Sequence, residues 1–145
     1  MKLKVKRVEG EMRGILPTRG SAKAAGLDLY TYEERTLRPG QTHLFPTGII
    51  VEIPDGYEGQ VRPRSGLAAK HSITVLNAPG TIDSDYRGEV KVILHNAGSQ
   101  PFKIDANTRI AQLVVKKVEE FEPEWSNEVT ETERGSGGFG STGLK

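Results

Sequence analysis

The chain lacks cysteine and has few aromatic residues, no excess of charge and no long apolar run. Without cysteine it forms no disulfide, thiol nucleophile or cysteine metal site. A net charge of +1 over 145 residues gives no general affinity for polyanions, and the scarce aromatics argue against a nucleic-acid-binding surface. No segment predicts a membrane span or a signal peptide. We therefore expect one cytoplasmic domain that binds neither nucleic acid nor membrane.

Short alternating or apolar runs recur along the chain, separated by turns rich in Gly, Pro and Asn. They predict strands at 27–31, 44–45, 48–53, 57–62, 73–76, 90–95, 102–104 and 110–118. The alternation around Leu3 and Val5 indicates a further strand with a solvated face of Lys and Arg. One short helix is predicted at Ser65–His71. Such spacing is typical of an all-β barrel or double-sheet roll.

The composition changes after Val118. Residues 119–133 hold seven glutamates and no Lys or Arg, which predicts an extended arm that can span roughly 50 Å. Residues 134–145 form a Gly-rich tail with Arg134, Phe139 and several hydroxyls. The chain thus divides into a barrel at 1–118, an acidic arm at 119–133 and a tail at 134–145.

The segment 80–90 carries two carboxylates, a phenol and a guanidinium between a Pro-Gly turn and a predicted strand. Polar groups at a rigid turn can bind a small molecule with side chains and backbone together. A plain hairpin, with Asp83 and Asp85 as turn formers and Tyr86 in the core, is the alternative.

Three other places offer contacts to an anion or a cation. Arg64 and Ser65 precede the short helix, where backbone N–H groups favour an anion, although Ser65 can simply be an N-cap. Asp28 and Gln112 each interrupt an apolar strand and need partners. Asp28 can form an ion pair or face a hydrated Mg²⁺, and Gln112 can bond local backbone or a ligand.

The tail also has two interpretations. Glycines turn backbone N–H groups toward an anion, Arg134 suits phosphate, and Phe139 can stack on a base. A floppy terminus has the same composition but gains nothing from an aromatic residue.

Five segments, in this order, resemble the five motifs of the trimeric dUTP diphosphatases (dUTPases). They are Ala-Gly-Leu-Asp-Leu at 25–29, Pro-Arg-Ser-Gly-Leu-Ala at 63–68, Gly-Thr-Ile-Asp-Ser-Asp-Tyr-Arg-Gly at 80–88, Arg-Ile-Ala-Gln-Leu at 109–113, and Arg-Gly-Ser-Gly-Gly-Phe-Gly-Ser-Thr-Gly at 134–143. The resemblance implies a β-barrel of jelly-roll type, with one short helix and an extended C-terminal arm. It also implies hydrolysis of dUTP to dUMP and pyrophosphate with Mg²⁺.

Residue by residue, the resemblance assigns Asp83 to activation of the attacking water and Tyr86 to exclusion of the ribose 2′-hydroxyl. The uracil would be bound by Asn77, Lys91 and the backbone of Gly80, Thr81 and Ile82.

The same resemblance places Arg64, Ser65, Gly66 and Gln112 on the α- and β-phosphates, and Asp28 on a metal-bound water. Arg134 would bind the γ-phosphate, Phe139 would cover the uracil, and Gly140, Ser141 and Thr142 would add phosphate contacts. The sites would lie between the subunits of a homotrimer, with the tail donated in trans.

Two other functions are compatible with the same fold. A dCTP deaminase-like enzyme needs a general acid/base Glu in the pyrimidine pocket and no Arg-Gly-Phe tail. A non-catalytic nucleotide-binding regulator would be expected to lose Asp83 or Arg134, and both are present.

Overall fold

Twelve strands and one helix form the computed structural model, which describes residues 1–145. The strands are β1 (Lys4–Arg7), β2 (Thr18–Arg19), β3 (Leu27–Thr31), β4 (Arg35–Leu37), β5 (Thr42–Pro46), β6 (Ile49–Glu52), β7 (Tyr57–Arg62), β8 (Ile73–Val75), β9 (Gly80–Ile82), β10 (Lys91–Asn96), β11 (Phe102–Ile104) and β12 (Thr108–Lys117). The helix α1 spans Ser65–His71. This confirms the predicted all-β, jelly-roll-type barrel with one short helix, and no helix is long and apolar enough to cross a membrane.

All the strand pairs are antiparallel. The largest sheet has the order β2-β3-β12-β7-β9, a second has the order β5-β10-β8, and β1-β6 and β11-β4 form two pairs. Alternating residues of these sheets point inward and form one core of 17 buried apolar side chains, among them Phe45, Leu29 and Leu113. Alternation in the sequence predicts this arrangement because successive side chains of a strand face opposite sides.

Three short strands were not predicted. Thr18–Arg19 and Arg35–Leu37 contain two and three residues and carry almost no apolar pattern. Gly80–Ile82 follows a Pro-Gly signal for a turn, yet its backbone pairs with β7 in the register Gly59↔Ile82. Tertiary pairing here overrides local turn preference.

The helix has the predicted bounds, but its predicted cap is wrong. Arg64, with extended backbone, occupies the N-cap position, and no side chain caps the helix. Ser65 is instead the first helical residue, which leaves its hydroxyl without the capping role.

No strand or helix follows Lys117. Every residue of the 119–133 arm is exposed, including Phe121 and Trp125. The last backbone hydrogen bond to the barrel runs from the Val118 N–H to the Gly56 carbonyl at 2.9 Å. The arm therefore has no regular secondary structure and no buried residue, and it leaves the barrel beside the β6–β7 turn.

Candidate active site

The loop between β9 and β10 connects the two larger sheets and carries Asp83 and Tyr86. Buried Ile82 and Val90 fix its two ends in the core. Within the loop the Tyr86 N–H donates to the Asp83 carbonyl at 3.1 Å, closing a turn. Tyr86 is 43% exposed, so the alternative that places it in the core is wrong. Both side chains are held by a rigid support while remaining open to a ligand.

This loop forms one wall of a pocket of about 300 Å³. Eleven residues line it: Leu44, Val61, Asn77, Gly80, Thr81, Ile82, Asp83, Tyr86, Glu89, Val90 and Lys91. The structure therefore brings together the barrel residues predicted for the base, the sugar and the attacking water, but not Phe139 of the tail. Volume and mixed lining suit a ligand the size of a nucleoside.

Four lining residues were missed by the sequence analysis: Leu44, Val61, Glu89 and Val90. Leu44 lies on β5 and pairs with Ile93 of β10, and half of its surface is exposed. Such an exposed Leu beside a polar loop is a signal for a pocket, but only once the strand pairing is known. Glu89 and Val90 lie in the 80–90 segment itself.

Two glycines allow the side chains of this pocket to pack closely. A Cβ on Gly88 would lie 2.4 Å from the Tyr86 hydroxyl oxygen, so only glycine leaves room for that ring. The Tyr86 hydroxyl donates to the Glu89 carbonyl at 2.8 Å. A Cβ on Gly80 would lie 3.0 Å from Nδ2 of Asn77. Loss of either glycine would displace the polar group beside it.

A second group of predicted residues lies at the junction of β3, β12 and α1. Gln112 pairs with Asp28 on one side and with Arg62 on the other. Its Nε2 donates to the Pro63 carbonyl at 2.9 Å. A Cβ on Gly26 would come within 2.4 Å of its Oε1. Gln112 thus bonds local backbone and holds the segment that begins the helix.

Asp28 is half-buried between two guanidinium groups. Its Oδ1 lies 3.7 Å from Nε of Arg64 and its Oδ2 lies 3.6 Å from Nη1 of Arg109. Arg64 also donates through Nη1 to the Arg109 carbonyl at 3.1 Å. The ion-pair interpretation of Asp28 is therefore confirmed for the single chain. Ser65 and Gly66 are exposed beside Arg64, so the group presents positive charge and free backbone N–H groups.

In the single chain these two groups do not line the same pocket. None of Asp28, Arg64, Ser65, Gly66 and Gln112 lines the pocket that contains Asp83. The tail joins neither group: the Nε of Arg134 donates to the Gly137 carbonyl at 2.8 Å, and the Phe139 side chain is fully exposed. One chain therefore carries three separate parts of the predicted site.

No metal site is built by the protein alone. The structure contains no group of three or more His, Asp or Glu side chains that could hold an ion. The histidines have local partners instead; His43 bonds Glu33, and His95 Nδ1 lies 2.9 Å from the Thr42 hydroxyl. His71 packs its ring on Phe102.

Clear pKa shifts occur away from the pocket. Hydrogen bonds from Arg13 lower the pKa of Glu11 to about 2. Burial raises the pKa of Glu33, but hydrogen bonds from Arg35 and His43 outweigh it and leave that pKa below its usual value. These carboxylates are stabilised as anions by structural partners, so they are poor candidates for a general acid.

Residues 12–143 match the family model described as dUTPase. The chain is 51% identical over 144 residues to deoxyuridine 5′-triphosphate nucleotidohydrolase of Rickettsia felis, covering 98% of this chain and 97% of that protein. It is 52% identical over 143 residues to the protein of the same name from Clostridium acetobutylicum, covering 99% and 97%.

Among solved structures, the fold resembles a mutant dUTPase of Staphylococcus bacteriophage 80alpha with dUpNHpp. The TM-score is 0.90 at 26% identity, and the match covers 99% of both chains. Fold, pocket and relatives thus agree on one conclusion: the chain belongs to the dUTPase family.

Proposed function

We propose that the protein is a dUTP diphosphatase, hydrolysing dUTP to dUMP and pyrophosphate by water attack at the α-phosphorus. The observation that carries this proposal is the convergence of Asn77, Asp83 and Tyr86 on one nucleoside-sized pocket. Family membership supports the same substrate, because both relatives above bear the name of this activity.

Uracil would bind at the open edge of β9. This strand is the last in its sheet, so one row of its backbone N–H and C=O groups has no strand partner. The amide of Asn77 adds one donor and one acceptor beside Gly80. Together with the Thr81 and Ile82 backbone and Lys91, these groups would match uracil and leave cytosine with unpaired polar atoms.

Tyr86 would lie against the deoxyribose and reject a ribose. Its hydroxyl is held by the hydrogen bond to the Glu89 carbonyl, and Gly88 leaves room for this position because it has no Cβ. A ring held in this way cannot move aside for a 2′-hydroxyl without breaking a hydrogen bond. Discrimination against UTP would therefore come from steric exclusion on a rigid support.

Asp83 would act as the general base and also bond the 3′-hydroxyl. Its carboxylate is exposed at the pocket wall, and the residue comes directly after buried Ile82, which ends β9. A carboxylate orients water well and accepts its proton once the phosphates are aligned for in-line displacement.

The α- and β-phosphates would be bound by Arg64, Ser65, Gly66 and Gln112. Arg64 already lies beside Asp28 and Arg109, and Ser65 and Gly66 present backbone N–H groups at the helix start. Binding of the phosphates would draw Arg64 from its loose 3.7 Å pair with Asp28 toward a stronger anion.

Mg²⁺ fits this donor set as an ion carried by the substrate. A hard cation that keeps its waters needs few protein carboxylates when phosphates supply the other ligands. Asp28 would accept a hydrogen bond from a metal-bound water after Arg64 turns to the phosphates. When bound, the ion would neutralise phosphate charge and polarise the reacting group.

The three parts of the site would be joined in a homotrimer. The phosphate-binding residues of one subunit would face the nucleoside pocket of its neighbour. The acidic arm at 119–133 would carry the 134–145 tail across in trans. There Arg134 would bind the γ-phosphate, Phe139 would cover the uracil, and Gly140, Ser141 and Thr142 would donate to phosphates. The supporting observation is that no single chain assembles these residues.

One assay tests the proposal. The purified protein is incubated with Mg²⁺ and dUTP, dCTP, dTTP or UTP, and both pyrophosphate and ammonia are measured. Pyrophosphate from dUTP alone is the expected result. Ammonia from dCTP would overturn the proposal in favour of a deaminase; Glu89 is the other carboxylate of the pocket, but it already accepts a bond from the Gly48 N–H.

A further inference from the structure

Glu89 lines the substrate pocket, yet its carboxylate turns away to the backbone. Its Oε2 accepts a hydrogen bond from the Gly48 N–H at 3.1 Å. Two more bonds join the same segments: the Val90 N–H donates to the Ile49 carbonyl at 2.8 Å, and the Thr47 hydroxyl donates to the Val90 carbonyl. The end of the substrate loop is therefore bonded to the β5–β6 turn, and Glu89 supplies the side-chain bond from the loop itself.

The same residue anchors Tyr86. The Tyr86 hydroxyl donates to the Glu89 carbonyl at 2.8 Å, and Gly88 lies directly under that hydroxyl. Any shift of Glu89 would move the acceptor on which the Tyr86 ring is oriented. A path of two hydrogen bonds thus joins the Gly48 N–H to the ring that would contact the sugar.

The N-terminal strap, which we define as residues 8–14, contacts Gly48 on the side opposite Glu89. The Val8 N–H donates to the Gly48 carbonyl at 2.9 Å. A Cβ on Gly14 would lie 2.5 Å from that carbonyl oxygen, so backbone packs on backbone. With its φ of +74°, Gly48 adopts a left-handed conformation that turns its N–H toward Glu89.

Tyr32 closes the back of this cluster. The Arg13 guanidinium stacks over its ring, 4.0 Å from the centroid. On the side of Gly48, Cε1 of Tyr32 lies 3.1 Å from the position that a Cβ on Gly48 would occupy. Burial, followed by the carboxylates of Glu11 and Glu89, raises the pKa of Tyr32 and keeps the phenol neutral. The Gly48 N–H is therefore presented to Glu89 by a packed support.

We propose that Glu89 is a positioning residue that sets the discrimination between deoxyribose and ribose, through its bond to the strap-supported Gly48 N–H. This role rests on the proposed function, because Tyr86 is taken to be the residue that excludes the 2′-hydroxyl. Glu89 acts by accepting a hydrogen bond, and its charge is not required.

Three substitutions at Glu89 separate this role from others. Glu89→Ala removes the acceptor, Glu89→Asp keeps the charge but shortens the side chain, and Glu89→Gln keeps the acceptor without the charge. The matched control is Glu52→Ala. Glu52 contacts the same loop from outside through a 3.6 Å pair with Arg87, an exposed ion pair that contributes little.

The measurement is kcat and KM for dUTP and for UTP. For Glu89→Ala and Glu89→Asp we expect the UTP-to-dUTP ratio of kcat/KM to rise roughly tenfold, the effect of losing one hydrogen bond. Most of the loss for dUTP should be in KM, since Asp83 is untouched. Glu89→Gln and Glu52→Ala should stay within about twofold of the wild type.

An unchanged ratio in Glu89→Ala overturns the proposal. So does the opposite pattern, in which Asp behaves as the wild type and Gln as Ala, because the charge would then act on the substrate. If the Ala variant fails to fold, the Asp and Gln pair decides alone. A wild-type protein that hydrolyses no dUTP would instead refute the proposed function, and this role would fail with it.

Discussion

The barrel and the C-terminal arm and tail differ in what they bury. Every residue of the barrel core lies before Val115, and Phe45, its largest side chain, is fully buried. After Val118 nothing is buried, and Phe121, Trp125 and Phe139 are each more than 80% exposed. The barrel buries most of its large apolar side chains in one core, whereas the arm and tail leave all of their aromatic groups exposed. The barrel is complete as a fold, whereas the proposed site needs residues that one chain leaves apart from its nucleoside pocket.

The largest effect on activity should come from a substitution at Asp83, in the part of the site that the barrel supplies. Asp83→Asn removes the proposed general base and should lower kcat for dUTP by about 10²- to 10⁴-fold. Because Asp83 is exposed, the thermal midpoint should not change. The measurement is pyrophosphate release together with a melting curve.

Asp85→Asn is the matched control for that change. Asp85 is exposed on the same loop but does not line the nucleoside pocket. Its substitution should leave kcat within about twofold of the wild type. Equal losses in both variants would mean that loop charge matters and that Asp83 has no special role.

The next effect tests the tail. Removal of residues 134–145 should lower kcat/KM for dUTP by roughly 10²-fold, because the γ-phosphate contact and the cover over the base are lost. Barrel stability should change by less than about 0.5 kcal/mol, since no hydrogen bond joins the tail to the barrel of its own chain. Steady-state kinetics and chemical denaturation measure the two quantities.

Co-expression of two inactive chains decides whether the tail acts in trans. A full-length Asp83→Asn chain supplies a tail, and a chain lacking residues 134–145 supplies Asp83. Mixed trimers should regain part of the dUTPase activity that each chain loses on its own. No recovery, with mixed trimers present by mass spectrometry, would place the tail on its own subunit.

Sequence patterns predict the strands that are determined by alternation and turns in neighbouring residues. β3, β7 and β11 have the predicted bounds because alternation and flanking turns specify them. β9 was missed because its strand conformation depends on pairing with β7, which local turn chemistry does not encode. Residue type makes Ser65 a possible N-cap, but Arg64 occupies that position in the structure.

The site shows the same division. Asp83, Tyr86 and Gly88 lie within one short segment, so their proximity follows from the sequence. Leu44 and Val61 reach the pocket only through the pairings of β5 with β10 and of β7 with β9. The Glu89 bond to Gly48 spans 41 residues and needs a left-handed glycine to orient the N–H. Patterns along the chain do not contain this geometry.

A smaller effect concerns stability within the barrel. Glu33→Gln removes the negative charge from the side chain that accepts hydrogen bonds from Arg35, at 3.0 Å, and from His43. The folded-state pKa of Glu33 is lowered below its usual 4.5, so its ionised form stabilises the fold above about that pH. The contribution is lost as pH falls through the lowered pKa.

We therefore expect Glu33→Gln to have a lower thermal midpoint than the wild type at pH 7. The loss in free energy of unfolding should be less than about 1 kcal/mol, because the ion pairs of Glu33 are partly exposed. The two midpoints should converge as the pH falls below the lowered pKa of Glu33. Glu9→Gln, an exposed residue outside every ion pair of the structure, serves as the control. A gap that persists at low pH would mean that packing, and not charge, accounts for it.

The smallest effect concerns the charge of the arm. Seven glutamates between residues 119 and 133 repel the substrate's phosphates, and this charge should hold the arm away from the phosphate site until Arg134 docks. Replacing all seven by glutamine should lower KM for dUTP by about two- to threefold at low salt. The difference should vanish near 1 M salt, where the screening length is about 3 Å. Equal KM values and equal salt dependence in the two proteins would show that the arm is only a spacer, and that its length alone carries the tail to the site.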